Sequence, residues 1–181
     1  MSAPPAFAVE WAVEVARRSP CAKTRRAAVV FVGEKILGAG YNHPPKPTIC
    51  DGSPECRTDC GRRCVHAEAQ AARVSWRETA TEGLYSSVEL VHVKIDSDGK
   101  LEAGGGPSCW QCSREVLDAG IAAVWLYRLP TVTEANAADV YRADDPRHVL
   151  LARWQRYTAV DFHRITCANA KGGAVYVGGE Q

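Results

Sequence analysis

The chain has almost no excess of either charge. Its 22 Lys and Arg stand against 21 Asp and Glu, a formal net charge of +1, so there is no electrostatic case for general binding to nucleic acid. A basic cluster at Arg147, Arg153, Arg156 and Arg164 is interrupted by Asp144, Asp145 and Asp161. No apolar run approaches the length that spans a bilayer, so no membrane partner is expected. The N-terminus has no basic start, and Glu10 and Glu14 break up its apolar residues. A secretory leader is therefore not expected, and the chain reads as cytoplasmic. Internal repeats and low-complexity segments are also missing. What remains is an ordinary globular composition. With 181 residues, 46% of them hydrophobic, one domain over 1–181 with a substantial core is expected.

Cysteine, by contrast, is plentiful. Eight cysteines in a cytoplasmic chain read better as metal ligands than as disulfides. Two of them, Cys109 and Cys112, form a C-x-x-C that begins forty-one residues after the glutamate of His66-Ala67-Glu68. One imidazole and two thiolates make a three-ligand tetrahedral zinc site with its fourth position open, as in a catalytic zinc rather than a closed structural one. Glu68, two residues from His66, need not be a ligand and can stand beside the open position as a proton shuttle. Zinc held this way lowers the pKa of a bound water to about 7. A carboxylate that moves protons then suits attack on the amidine carbon of an aminated heterocycle. Taken singly, a C-x-x-C is often a redox pair or half of a zinc ribbon, and an H-x-E is common by chance. Together and in this order they point to catalysis.

Periodicity places these motifs on elements. Phe7, Trp11, Ala12 and Val15 recur at helical spacing, predicting a helix that ends near Arg18, before Ser19-Pro20. Ala27–Val32 and Ile36–Tyr41 read as a hairpin around Gly33-Glu34-Lys35. Residues 42–64 are rich in proline, charge and cysteine, an insert too long to be idle in a compact domain. A helix over Val65–Trp76 carries His66 at its start, and Val88–Ile95 is a strand followed by the turn Ser97-Asp98-Gly99-Lys100. A second helix over Trp110–Ala119 is capped by Gly120, and Ile121–Tyr127 is a buried strand. Asp144-Asp145-Pro146 predicts a further helix with Leu150, Trp154 and Tyr157 facing inward, and Ala174–Val177 a last short strand. This order predicts an α/β fold, a mixed central sheet with helices on both faces, and puts both halves of the zinc site at helix N-termini.

The H-x-E and C-x-x-C pair is similar to the signature of the zinc deaminases. From about Ser19 to Tyr127 the chain resembles the deoxycytidylate (dCMP) deaminase branch of the cytidine deaminase superfamily. The resemblance is carried by Ser19-Pro-Cys-Ala-Lys-Thr-Arg-Arg-Ala-Ala-Val-Val, Gly40-Tyr41-Asn42, the cysteine-rich insert, His66-Ala67-Glu68, Cys109-Trp-Gln-Cys112 and Asp118-Ala-Gly-Ile-Ala-Ala-Val-Trp-Leu-Tyr. It implies a three-layer α/β/α cytidine deaminase-like fold and hydrolysis of dCMP to dUMP and ammonia. Zinc would sit on His66, Cys109 and Cys112, Glu68 would move protons, and Asn42 would bind the substrate. The partner implied is a small-molecule nucleotide, and the chain would form a homo-oligomer.

Some positions depart from the family. A usual glycine of the stretch that begins at Ser19 is here an alanine, His43 replaces a glycine that helps hold an allosteric nucleotide in regulated relatives, and Ser108 separates Pro107 from Cys109. His43 therefore predicts little activation by dCTP. The residues alone leave two other functions open. One is deamination of another nucleobase, nucleoside or nucleic acid; the other is a non-catalytic zinc-binding protein of the same fold.

The remaining cysteines suggest a second, structural zinc, because so polar a loop is costly to order without a clamp. The resemblance implies Cys21, Cys50, Cys56 and Cys60 as its ligands, with Cys64 as competitor and His92 a remoter choice. Free buried thiols are the alternative. Cys167 has no evident partner. Arg62 and Arg63 are candidates to supply charge to a phosphate, with a solvated basic loop as the alternative. The segment from about 130 to 181 carries no pattern of the family.

Overall fold

Helix α1 (Ala6–Arg17) turns Ala8, Ala12, Val15 and Ala16 inward, small residues that let it lie close on a sheet. Trp11, expected on that face, is 46% exposed. In the computed structural model of the chain, residues 3–45, 48–56, 63–82, 87–107, 109–128 and 153–170 are described. After α1 come strands β1 (Arg25–Val32) and β2 (Lys35–Tyr41), helix α2 (Ala67–Glu82) and strands β3 (Glu89–Ile95) and β4 (Leu101–Glu102). Helix α3 (Trp110–Asp118), strands β5 (Ala123–Arg128) and β6 (Arg153–Thr158) and helix α4 (Ala159–Ala170) complete the order.

The strands form one mixed sheet in the order β2-β1-β3-β5-β6, with β4 pairing to β3. β1 is antiparallel to both β2 and β3, β3 and β5 are parallel, and β6 returns antiparallel on β5. The sheet is buried on both faces, so β1 is apolar almost throughout instead of alternating. Ala28 and Val30 enter one core with α2, α3 and α4, while Ala27, Val29 and Phe31 enter the other with α1. This is the three-layer α/β/α arrangement that the sequence predicts.

One predicted helix is a strand. Trp154 and Tyr157 were expected on one face of a helix from Asp144; they lie instead in β6, on opposite sides of the sheet. Trp154 packs with the α1 core and Tyr157 joins the other. A spacing of three residues is one helical face but two strand faces, and pairing with β5 decides for the strand. The helix of this region is α4, further on. The Asp144-Asp145-Pro146 start and Ala174–Val177 lie outside the described residues.

Helix α2 is held unusually close to β2. A Cβ on Gly40 would lie 2.6 Å from Ala71 N and 2.7 Å from Ala67 O, and one on Gly38 would lie 2.8 Å from Ser75 N. Ala67, Ala71 and Ser75 follow one another on one face of α2 at intervals of four, so a stripe of small residues meets two glycines. That contact sets the height of the head of α2 above the sheet.

Candidate metal centre

Strands β2 and β3 run the same way, since both are antiparallel to β1. Val65, just ahead of α2, bridges to His43 past the end of β2, and Gly104, ahead of α3, bridges to Arg128 at the end of β5, which is parallel to β3. Both helices are thus approached from the edge of the sheet where these strands end, the usual place for a ligand in such folds. His66 stands just ahead of α2, its carbonyl accepting from Gln70 N–H at 3.1 Å. Cys109 is the N-cap of α3, its sulfur accepting from Cys112 N–H. Cys112 lies one turn in and is buried.

The three donor atoms come together. His66 Nδ1 is 3.1 Å from Cys112 Sγ, which is 2.7 Å from Cys109 Sγ, and all three lie within 4.8 Å of one another. Bonds of about 2.0–2.3 Å from a single zinc ion can reach donors so spaced, and two thiolates with an imidazole are a zinc donor set. Among the described residues no other group of three or more such side chains converges this way. The Cys112 thiol, then the His66 ring and the α3 backbone, pull the Cys109 thiol down to about 5. The same hydrogen bond, with burial, pushes Cys112 up. Hydrogen bonding to Cys109 raises His66.

Glu68 occupies the first turn of α2 and its side chain is only 13% exposed. Burial pushes its carboxyl up, but His92, the backbone at the head of the helix, His66 and Arg26 together hold it below the usual carboxylate range. A carboxylate is thus kept ionised in a nearly dry place beside the donors. A cavity of about 200 Å³ opens onto the cluster, lined by His66, Cys109 and Cys112 with Arg63, Arg73 and Gln111. Arg73 is paired to Glu115 at 2.7 Å. Arg62 lies outside the described residues.

Asn42 is buried at the end of β2, with much of its carboxamide committed. Its Oδ1 accepts from Ser19 Oγ and Arg26 N, each at 2.8 Å, and its Nδ2 donates to Thr24 O at 2.8 Å. It therefore ties the entry of β1 to the exit of β2. Beyond it the insert is closed at its neck, where His43 and Val65 exchange backbone hydrogen bonds of 3.1 and 2.8 Å. Within the insert, Cys50 Sγ lies 3.6 Å from Cys56 Sγ and accepts from Ala22 N–H at 3.2 Å. Burial, with Cys56 and the nearby Cys21, raises the Cys50 thiol against the Ala22 amide. Cys60 lies outside the described residues, and Cys64 lines the same cavity as His66. Cys167, expected without a partner, is 3.6 Å from His163 Nε2.

Two residues near Glu68 were not anticipated. His92 faces it across 3.7 Å from β3, and Arg26 acts on Glu68, His66 and His92 through its charge. The signal for His92 was present in Glu-Leu-Val-His-Val-Lys-Ile, one imidazole in a buried apolar strand. It is absent from any metal-holding group among the described residues.

Fold and site define an α/β protein in which one histidine and two cysteines that could hold a metal ion converge beside a buried carboxylate. Over 147 residues the chain is 34% identical to the deoxycytidylate deaminase of Schizosaccharomyces pombe, a match covering 76% of this chain and 40% of that protein. The chain is thus deoxycytidylate deaminase-like in sequence over three quarters of its length, and it spans about 40% of the length of that relative. No family model matches. Among solved structures the chain is similar to the dCMP deaminase of cyanophage S-TIM5 in complex with dCMP and dUMP, with TM-score 0.44, 22% identity and 66% and 80% of the two chains covered. It is also similar to a cytidine deaminase from Burkholderia pseudomallei, with TM-score 0.47, 14% identity and 86% and 93% covered.

Proposed function

We propose that the chain is a zinc-dependent hydrolase that deaminates a cytosine nucleotide, converting dCMP and water to dUMP and ammonia. The observation that carries this reading is the convergence of His66, Cys109 and Cys112 within 4.8 Å beside the buried carboxylate of Glu68. Those three residues would hold the zinc. When bound, zinc supplies a nucleophilic oxygen at neutral pH and polarises what it touches. Glu68 takes the proton that the attacking water gives up, delivers it to the ring nitrogen, and passes a proton to the departing amine. The helix N-termini favour the thiolates of Cys109 and Cys112. A purely structural zinc would have no use for Glu68, which speaks against a non-catalytic role.

On the substrate side, Asn42 offers the remaining N–H of its carboxamide to sugar or base. Arg63, at the cavity, supplies charge-assisted hydrogen bonds to a phosphate that a nucleoside lacks. A second, structural zinc on Cys21, Cys50, Cys56 and Cys60, with Cys64 as competitor, is part of the same reading. It is supported by the close Cys50 and Cys56 sulfurs and by the amide that Ala22 points at Cys50. A single cytoplasmic domain that self-associates completes it. Val74 and Trp76, 56% and 54% exposed on α2, are apolar surface for such contacts.

The test is ammonia release by zinc-loaded protein over cytosine, adenine and guanine compounds at each phosphorylation level. We expect a higher kcat/KM for dCMP than for deoxycytidine, and little activation by dCTP because His43 stands where regulated relatives have glycine. Equal or better turnover of deoxycytidine, or activity confined to a purine, overturns the substrate. Zinc binding with no ammonia from any compound overturns the enzyme.

A further inference from the structure

His92 is paired with Ala28 of β1 and Leu126 of β5 in the middle of the sheet. Strand alternation puts it on the same face as Leu90, the face covered by α2, α3 and α4. Leu90, Val91 and Val93 around it are fully buried aliphatics, so packing alone would call for another of these. Instead an imidazole stands there, 7% exposed, and its Nε2 has no hydrogen-bond partner. A buried polar nitrogen left in this state is destabilising. The polar atom it faces is Glu68 Oε1, 3.7 Å away. This is longer than a hydrogen bond, but catalytic hydrogen bonds are commonly long before the substrate binds and tighten when it does.

We propose that His92 is the positioning residue for Glu68: its Nε2–H donates to Oε1 and aims the carboxylate at the metal cluster. The contact closes to a hydrogen bond when substrate fills the site. It leaves Oε2 to carry protons, so the two carboxylate oxygens divide positioning from transfer. The role of Glu68 as proton carrier is taken from the function proposed above; the contact itself is not.

The experiment uses the full zinc-loaded chain, wild type and the variants His92→Leu, His92→Gln and Glu68→Gln. Leu fills the space without a donor, while Gln carries an amide N–H at about the reach of Nε2. We expect His92→Leu to lower kcat on dCMP by about 10–100-fold, the usual cost of losing an orienting partner near a metal, with KM and zinc content unchanged. His92→Gln should recover most of the loss. Independently of turnover, the ring nitrogens of His92 read by ¹H–¹⁵N NMR should show a protonated Nε2 whose signal shifts in Glu68→Gln. An unchanged kcat in His92→Leu, equal losses in Leu and Gln, or a ring signal indifferent to Glu68→Gln would overturn the proposal. If wild type turns over nothing, the proposed function fails while the NMR arm still decides the contact.

Discussion

At the level of single side chains, the site depends on residues whose partners lie far away in the chain. In the proposed function Glu68 serves the reaction and not the metal, so Glu68→Ala should lose about 10²–10⁴-fold in turnover. Zinc content by elemental analysis and the melting temperature should stay close to wild type, and activity within a few-fold would remove Glu68 from its role. Asn42 makes the opposite case. Truncation to alanine strands Arg26 N and Thr24 O, while Ser19 Oγ keeps the Asn42 carbonyl at 2.7 Å. We expect Asn42→Ala to cost about 1–3 kcal/mol of stability in urea unfolding, whatever it does to KM. A residue that only touches substrate would leave the unfolding midpoint unmoved. The convergence of His66, Cys109 and Cys112 was legible in the sequence because zinc chemistry restricts donor type and spacing. His92 was not, because its partner is supplied by the register of β3 and the docking of α2, which no local pattern records.

Among the elements, those with a strong period or a clear stop were legible. α1, the β1–β2 hairpin, β3 and β5 fall within a few residues of their predicted bounds. α2 begins near its predicted start but runs on to Glu82 instead of stopping at Trp76, and α3 is stopped ahead of Gly120, whose φ of +70° suits glycine. β4 and β6 were missed because each is short or ambiguous alone and exists by pairing to a neighbour. Gly38 and Gly40 look like ordinary strand glycines in the sequence, yet they decide how near α2 may come. Gly40→Ala puts a methyl against the backbone of Ala67 and Ala71, a misfit worth about 1–3 kcal/mol. Since His66 and Glu68 flank Ala67, that substitution should also reduce zinc-normalised kcat. Gly38→Ala presses on Ser75 and Ala71, further along the helix, and should destabilise with a smaller loss of kcat. Equal kinetic losses in the two variants would show that the head of α2 is not what Gly40 positions.

For the whole molecule, the cluster of His66, Cys109 and Cys112 is also tied to the end of the described chain. Ser113, next to Cys112, meets His163 Nδ1 at 2.9 Å and Thr166 Oγ1 at 2.7 Å, and Asn169 donates to Pro107 O at 2.8 Å. α4 thus braces both the helix and the loop that deliver Cys109 and Cys112. On the two-site reading, fully loaded protein should contain two zinc ions per chain by elemental analysis. Chelating the open site should abolish activity while the far-UV circular dichroism stays native-like. One zinc per chain in unoxidised, loaded protein would remove the second site.

The placement of His66 at the head of one helix and of Cys109 and Cys112 at the head of another also bears on the time course of folding. No fragment of the nascent structure owns the complete donor set; it comes into being only when α2 and α3 have both docked against the sheet. The ion therefore has little to grip in the transition state. In a chevron experiment, added zinc should depress the unfolding limb and leave the refolding limb nearly unchanged. The metal would then act as a late lock on a finished fold and not as the seed around which it forms.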